Sequence, residues 1–290
     1  MLEIEGSKMI KIVVDDSFLI SQILECGQSF RYKHIENNIY DIIAFEKRIR
    51  INQVGKHVYM DCSNEEYNRL WVRYFDMDRN YEQIQSVLVK LDPILKKAII
   101  EKRGLRILRQ APFEMLLTFI LSQNKAIPQI KVLVERLCVK FGQMVIDPYG
   151  SYYTFPTAEV LAEVSVEEWR KLKVGFRAPY LYDAIQKVIE GAIDFVAIEE
   201  MDDNTARNKL MEINGVGQKV ADCVLLFAFG RIEVFPLDVW VRRMMTHAYF
   251  NDQTISDQII LEFAERYFKG LGGLAQQYLF YYGRDHQIGK

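Results

Sequence analysis

The chain has 290 residues, half of them apolar and 12% aromatic, so it can bury a substantial core and is not a disordered or low-complexity polymer. Its net charge of −2 and pI of about 6.2 argue against a generally basic nucleic-acid coat, although a few well-placed phosphate contacts need no overall positive charge. No apolar run reaches the length of a membrane span. Cys26, Cys62, Cys138 and Cys223 are scattered with no CxxC pair, which argues against a disulfide framework or a tetrathiolate metal centre. Nothing at the N-terminus reads as a signal peptide, and free buried thiols in a reducing cytoplasm are the expectation.

The first hundred residues carry short strand-like runs: KIVV, GQSFRY, IYDIIAF, RIRINQ and HVYMDC, separated by turn material at Glu36-Asn37-Asn38 and Val54-Gly55-Lys56. Ile49 and Ile51 alternate with Arg48, Arg50 and Asn52, as in an antiparallel sheet with one wet face. Ser63-Asn64-Glu65-Glu66 reads as a helix start. From about residue 84 the period becomes helical, and helices are expected over 92–102, 112–122, 127–141, 165–172, 178–191, 204–212, 218–229, 237–249, 255–268 and 273–282. Pro93, Pro112, Pro128 and Pro179 each fall near a start, where a missing N–H costs nothing. A basic cluster at 96–109 (Lys96, Lys97, Lys102, Arg103, Arg106, Arg109) faces only Glu101 and is a candidate phosphate patch. The fold class is α+β, with an N-terminal antiparallel sheet (1–90) packed on a mainly helical body (91–290).

Residues 204–243 carry the strongest signal. Asn204 is expected to cap a short helix, Asn214-Gly215-Val216-Gly217 makes a turn tight enough to call for two glycines, and a second helix starts near Gln218. Such a turn aims several backbone N–H groups outward, an anion site suited to a DNA phosphate and indifferent to base sequence. Alone, this is equally the close packing of two helices, and ligases, polymerases and recombination proteins would share it. Lys219 lies in the first turn of that second helix, where a cation opposes the macrodipole, and Cys223 follows four residues later on the same face. Asp238, in Phe-Pro-Leu-Asp, sits at the start of the next helix, either as a cap or as a carboxylate aimed at a sugar ring. Arg242 and Arg243, one turn further on, suit phosphates.

GVGQKVADC followed by FPLDVWVRR resembles the helix-hairpin-helix DNA glycosylases, in which a lysine at the position of Lys219 marks the members that also nick the strand. The resemblance implies that Lys219 attacks C1′ of a flipped nucleotide with Asp238 as catalytic partner, and that no cofactor is required. Cluster-bearing branches carry four cysteines after the aspartate helix, whereas no cysteine follows Cys223 here. CGQSFRY at 26–32 is similar to a segment of the 8-oxoguanine DNA glycosylases, placing Gly27 where a carbonyl accepts from N7–H of the oxidised base. LAQQYLF at 274–280 places Gln276 on the base's pairing edge and Phe280 against its ring, and Cys223 joins this base pocket. ILSQNKAIPQI at 120–130 places Asn124 in the space left by the flipped base.

The resemblance implies double-stranded DNA containing oxidised guanine as partner, a monomer, and a prokaryotic cytoplasm with the enzyme on the nucleoid. Gly215, Gly217 and Arg242 are then backbone contacts, and Phe176-Arg177 stands where the eukaryotic pattern has a tyrosine–arginine wedge. Gln129 replaces an arginine that reads the opposite cytosine, so a relaxed opposite-base preference is expected. Trp240 replaces a phosphate-contacting histidine and receives no role. A glycosylase for another damaged base, such as an alkylated one, and a non-catalytic DNA-binding module are the alternatives.

Overall fold

The computed structural model describes residues 9–288. Five antiparallel strands, β1 (Met9–Val13), β2 (Tyr32–Glu36), β3 (Ile39–Ala44), β4 (Lys47–Val54) and β5 (His57–Asp61), form one sheet in the order β1-β5-β4-β3-β2. The alternation in β4 sets its faces as expected: Ile49 and Ile51 are buried and pair with Ile42 and Tyr40 of β3, leaving Arg48 and Arg50 toward the other face. Those inward residues join Met60, Trp71 and Phe75 in a small core that closes on the Ile20–Glu25 helix.

Two expectations in this region fail. GQSFRY is not a strand: only Tyr32 enters β2, and residues 27–31 form an irregular connection that starts with Gly27 at φ +94°. The basic cluster at 96–109 is not a free phosphate patch either. Arg106 is buried and donates to the Ser17 carbonyl (3.1 Å), the Ser17 hydroxyl (2.9 Å) and the Asp76 carbonyl (3.0 Å), while Arg109 pairs with Asp76 at 2.7 Å. Lys102 pairs with Glu101 and Asp285, and Arg103 faces Asp16 and Glu82. Arg106 and Arg109 tie the N-terminal region to the helical body through Ser17 and Asp76, and the buried Arg106 in particular needs its fixed partners, whereas Lys102 pairs within the body.

The body forms around a second, larger core. Its helices match the periodicity closely: Pro93–Glu101, Pro112–Ser122, Ile127–Phe141, Val166–Lys171, Ala178–Ile189, Asp203–Met211, Gln218–Phe229, Val239–Tyr249, Asp257–Phe268 and Gly272–Asp285. The prolines sit in first turns, as at Pro93, Pro112, Pro128 and Pro179. One cap differs. Asp202, not Asn204, caps the Asp203–Met211 helix by accepting from the Asn204 and Thr205 amides at 3.0 and 3.1 Å. The periodicity also missed helices at Tyr81–Leu88, Ala158–Ala162 and Phe195–Glu200, and a two-stranded hairpin at 144–153. All are too short to develop a clear repeat.

Candidate active site and DNA-contacting surface

The hairpin is locked from beneath by the Ala178–Ile189 helix. Asp183 accepts from the Asn214 amide (2.8 Å) and side chain (3.0 Å), and the Tyr180 ring lies against Gly215, where a Cβ would approach it to 2.2 Å. Gly215 also has φ +77°, so the turn requires glycine there twice over. Gly217 does not share that requirement. Its φ is −96° and open space surrounds it, so the backbone needs one glycine at this turn rather than the expected two. Gly217 instead caps the Gln218–Phe229 helix with nothing between its backbone and an approaching anion. Inside the hairpin, Arg207 clamps the buried Asp222 at 2.6 Å, tying the two helices together, while burial pushes that carboxyl up against the pull of Arg207.

The cleft behind the hairpin is a cavity of ≈ 340 Å³. Lys219, Cys223, Asp238, Gly27, Gln276 and Phe280, which sequence reasoning selected from four separate stretches, all line it. Lys219 Nζ lies 3.5 Å from the Ser122 hydroxyl and 5.3 Å from the Phe119 ring centre. Phe119 is stacked on Phe227 at 5.5 Å, which gives the amine an apolar wall. Burial pushes the Cys223 thiol up to about 11, against the opposing charge of Lys219, so at neutral pH it is a thiol and not a thiolate. Asp238 caps the Val239–Tyr249 helix, accepting from the Val241 amide at 2.8 Å, and borders the cavity as well. The cap role and the cavity role coexist.

Gln276 is 4% exposed, and its Oε1 has no hydrogen-bond partner among the described residues. An orphaned buried carbonyl carries a desolvation penalty that a donor-bearing ligand would relieve. The cavity therefore offers a nucleophilic amine, a carboxylate, a thiol, an unsatisfied acceptor and aromatic walls.

Residues 11–116 match the 8-oxoguanine DNA glycosylase N-terminal domain, and residues 117–269 match the HhH-GPD superfamily of base excision DNA repair proteins. A probable N-glycosylase/DNA lyase of Methanothermobacter thermautotrophicus is 31% identical over 246 residues, covering 78% of each chain. The 8-oxoguanine glycosylase/lyase of Clostridium acetobutylicum, solved with duplex DNA containing cytosine opposite 8-oxoguanine, superposes with a TM-score of 0.94 at 37% identity, covering 99% of both chains. MBOgg1, solved with a low-affinity DNA ligand, gives 0.94 at 39% identity over 98% of each. The chain belongs to the 8-oxoguanine DNA glycosylase/lyase family of the HhH-GPD superfamily.

Glycosylases of this kind must hold DNA as well as a base, and the remaining expected residues lie outside the cavity lining. Asn124 is exposed in the left-handed region at φ +51°, directly after Gln123, whose side chain donates to the Gly215 carbonyl at 3.0 Å. The Ser122-Gln123-Asn124 turn thus touches Lys219, the hairpin and solvent through successive residues. Gln129 is exposed, and its Oε1 accepts from the Ala126 amide at 3.2 Å at the start of the Ile127–Phe141 helix. Phe176 is 51% exposed and stands edge-on to Tyr180 at 6.1 Å. Arg177, expected to face DNA beside it, is turned inward. It is buried, donates to the Val174 carbonyl at 3.0 Å, and supports the Phe176 ring from 4.3 Å. Arg242 is about half exposed and paired with Asp257.

Sequence reasoning missed several lining residues: Ser122, Phe119, Lys125, Ile127, Trp240 and Arg284. Ser122 could have been inferred from its neighbour Asn124. Arg284 falls one helical turn beyond Phe280, so the LAQQYLF register already pointed at it.

Proposed function

We propose that this protein excises 8-oxoguanine from duplex DNA and then nicks the strand, the base excision repair reaction of its family. The observation that carries this reading is the meeting of Lys219, Asp238, Gly27, Gln276 and Phe280 on one cavity. The phosphate backbone lies across Gly215, Gly217 and Arg242, while Phe176, backed by Arg177, enters the duplex beside the lesion. Asn124 fills the vacated stack. The flipped base rests on Phe280 with Cys223 on its other side, its pairing edge donating to the orphaned Gln276 Oε1 and its N7–H to the Gly27 carbonyl. Guanine has a bare N7 acceptor at that point, so it would set acceptor against acceptor.

Lys219 Nζ attacks C1′ as the C1′–N9 bond breaks, and the base leaves with the bonding pair and takes a proton. Asp238 stabilises the positive charge that develops on the sugar. Loss of the ring oxygen from C1′ leaves an imine between Lys219 and the opened sugar. Removal of a C2′ proton then expels the 3′ phosphate. No step calls for a cofactor.

Gln129 supports a relaxed reading of the opposite base, since an amide cannot make the charge-assisted fork that an arginine makes. We also divide the chain into an N-terminal sheet unit and a helical unit near residue 90. The two cores favour that division, the smaller drawing on residues 10–75 with Leu108 and the larger on Cys26, Phe30 and residues from Tyr81 onward. We further place the protein as a monomer on the nucleoid of a prokaryotic cytoplasm. Borohydride trapping on duplexes with a single 8-oxoguanine tests the central claim: wild type forms a covalent adduct, and the absence of any adduct would sink the lyase reading.

A further inference from the structure

The carbonyls around Gly27 are occupied in a pattern. Glu25 O accepts from Arg284 Nη2 at 2.9 Å, Cys26 O from Gln277 Nε2 at 3.1 Å, and Gln28 O from Gln110 Nε2 at 2.9 Å. Between the last two lies the Gly27 carbonyl, which no donor reaches among the described residues. The far side of this segment is anchored as firmly. The buried Gln28 side chain donates to the Ile23 and Arg106 carbonyls at 2.9 and 2.7 Å and accepts from the Leu108 amide at 2.8 Å. Gly27 itself has φ +94°, and a Cβ there would stand 3.0 Å from Ile127 and 3.3 Å from Phe280.

Glycine is the residue whose flanking peptides rotate most freely, so position 27 does not by itself fix where its carbonyl points. Direction comes from pinning the peptides on both sides. Gln28 and Gln110 hold the peptide that follows; Gln277 holds the one that precedes. Gln277 is 2% exposed and adjacent in sequence to Gln276, so neighbouring side chains on one helix turn to different tasks.

We propose that Gln277 is a positioning residue for damaged-base recognition, holding the Cys26 carbonyl so that the Gly27 carbonyl alone is presented to the flipped base. This rests on the pocket reading above, in which Gly27 O accepts from N7–H. An acceptor held in place beforehand does not have to reorganise when the base arrives, and it cannot swing away to accommodate guanine. Arg284, bound to the neighbouring Glu25 carbonyl, reinforces the same segment from the surface.

The test separates two activities of the same protein. Cleavage of a preformed abasic duplex uses Lys219 but has no base to read, whereas release of 8-oxoguanine needs both. Gln277→Met keeps the length of the side chain and removes the donor. Its single-turnover release of 8-oxoguanine should fall about 10- to 100-fold, while abasic-site cleavage changes less than about twofold. Gln277→Glu supplies a donor to Cys26 O only when its carboxyl is protonated. Its ratio of base release to abasic cleavage should therefore decline with rising pH more steeply than that of wild type. A merely structural role would lower both activities together and leave the ratio independent of pH, and either result overturns the inference. If Gln277→Met does not fold, the pH profile of Gln277→Glu decides alone. If wild type itself fails to distinguish 8-oxoguanine from guanine, the pocket reading falls; if wild type distinguishes them and Gln277→Met does so equally, only the role of Gln277 falls.

Discussion

The residues we propose to react and those we propose to read the base are assembled in contrasting ways. Lys219 and Asp238 belong to one continuous hairpin–loop–helix segment, so the hairpin fold alone brings an amine, a carboxylate and the glycine turn together. Gly27 and Gln276 come from opposite ends of the chain and meet only because the sheet unit and the C-terminal helix close on the same cavity. Chemistry that is local in sequence can be kept while the distant walls of the pocket change. The contrast predicts that substitutions in the first group abolish every reaction, whereas those in the second spare the strand-nicking step and alter which base is released.

The largest effect is expected for Lys219→Gln. Loss of the nucleophile should reduce base release and nicking ~10⁴-fold or more and abolish the borohydride adduct, while lesion binding persists. Residual trapping at wild-type level would assign the nucleophile elsewhere. Asp238→Asn comes next, because asparagine caps a helix as well as aspartate does. The cap should survive with thermal stability nearly unchanged, and single-turnover release should fall ~10²- to 10³-fold. A drop in melting temperature with an unchanged rate would reduce Asp238 to a cap.

Gln276→Met sharpens the comparison from the other side. Removing the orphaned Oε1 should stabilise the free protein by about 1 kcal/mol and slow 8-oxoguanine release about 10- to 100-fold, with abasic-site cleavage spared. Calorimetry beside single-turnover kinetics reads both, and a destabilised variant would contradict the unsatisfied state of that carbonyl. The smallest effect concerns the opposite base. Excision opposite cytosine, adenine, guanine and thymine should differ by far less than a thousandfold in wild type, and Gln129→Arg should raise the preference for cytosine about 5- to 100-fold. A thousandfold cytosine preference in the unaltered protein would remove Gln129 from the account.

Much of the fold is legible in the sequence. Long helices with prolines in their first turns were placed within a few residues, because a repeat of 3.6 over ten or more positions leaves a clear stripe. Lys219 and Asp238 stood out because glycines and a proline frame them. Two kinds of error share a cause. GQSFRY alternates like a strand, yet Gly27 and the anchored Gln28 hold it as an irregular connection. The basic run at 96–109 looks like a DNA surface, yet Arg106 and Arg109 turn inward to Ser17 and Asp76. Both outcomes depend on partners distant in sequence.

The sequence by itself determined the α+β class, the hairpin, and the spacing that sets Lys219 in the helix after the glycine turn and Asp238 at the start of the next one. Each of these is written in local spacing or in motifs only a few residues long. Tertiary structure alone decided that Gln276 Oε1, in the cavity, is left without a partner among the described residues, that Arg177 lies beneath Phe176 instead of beside it, and that Gln277 restrains the peptide before Gly27. Hydrogen bonding and burial act through space between elements that the chain order does not relate, so no local pattern records them.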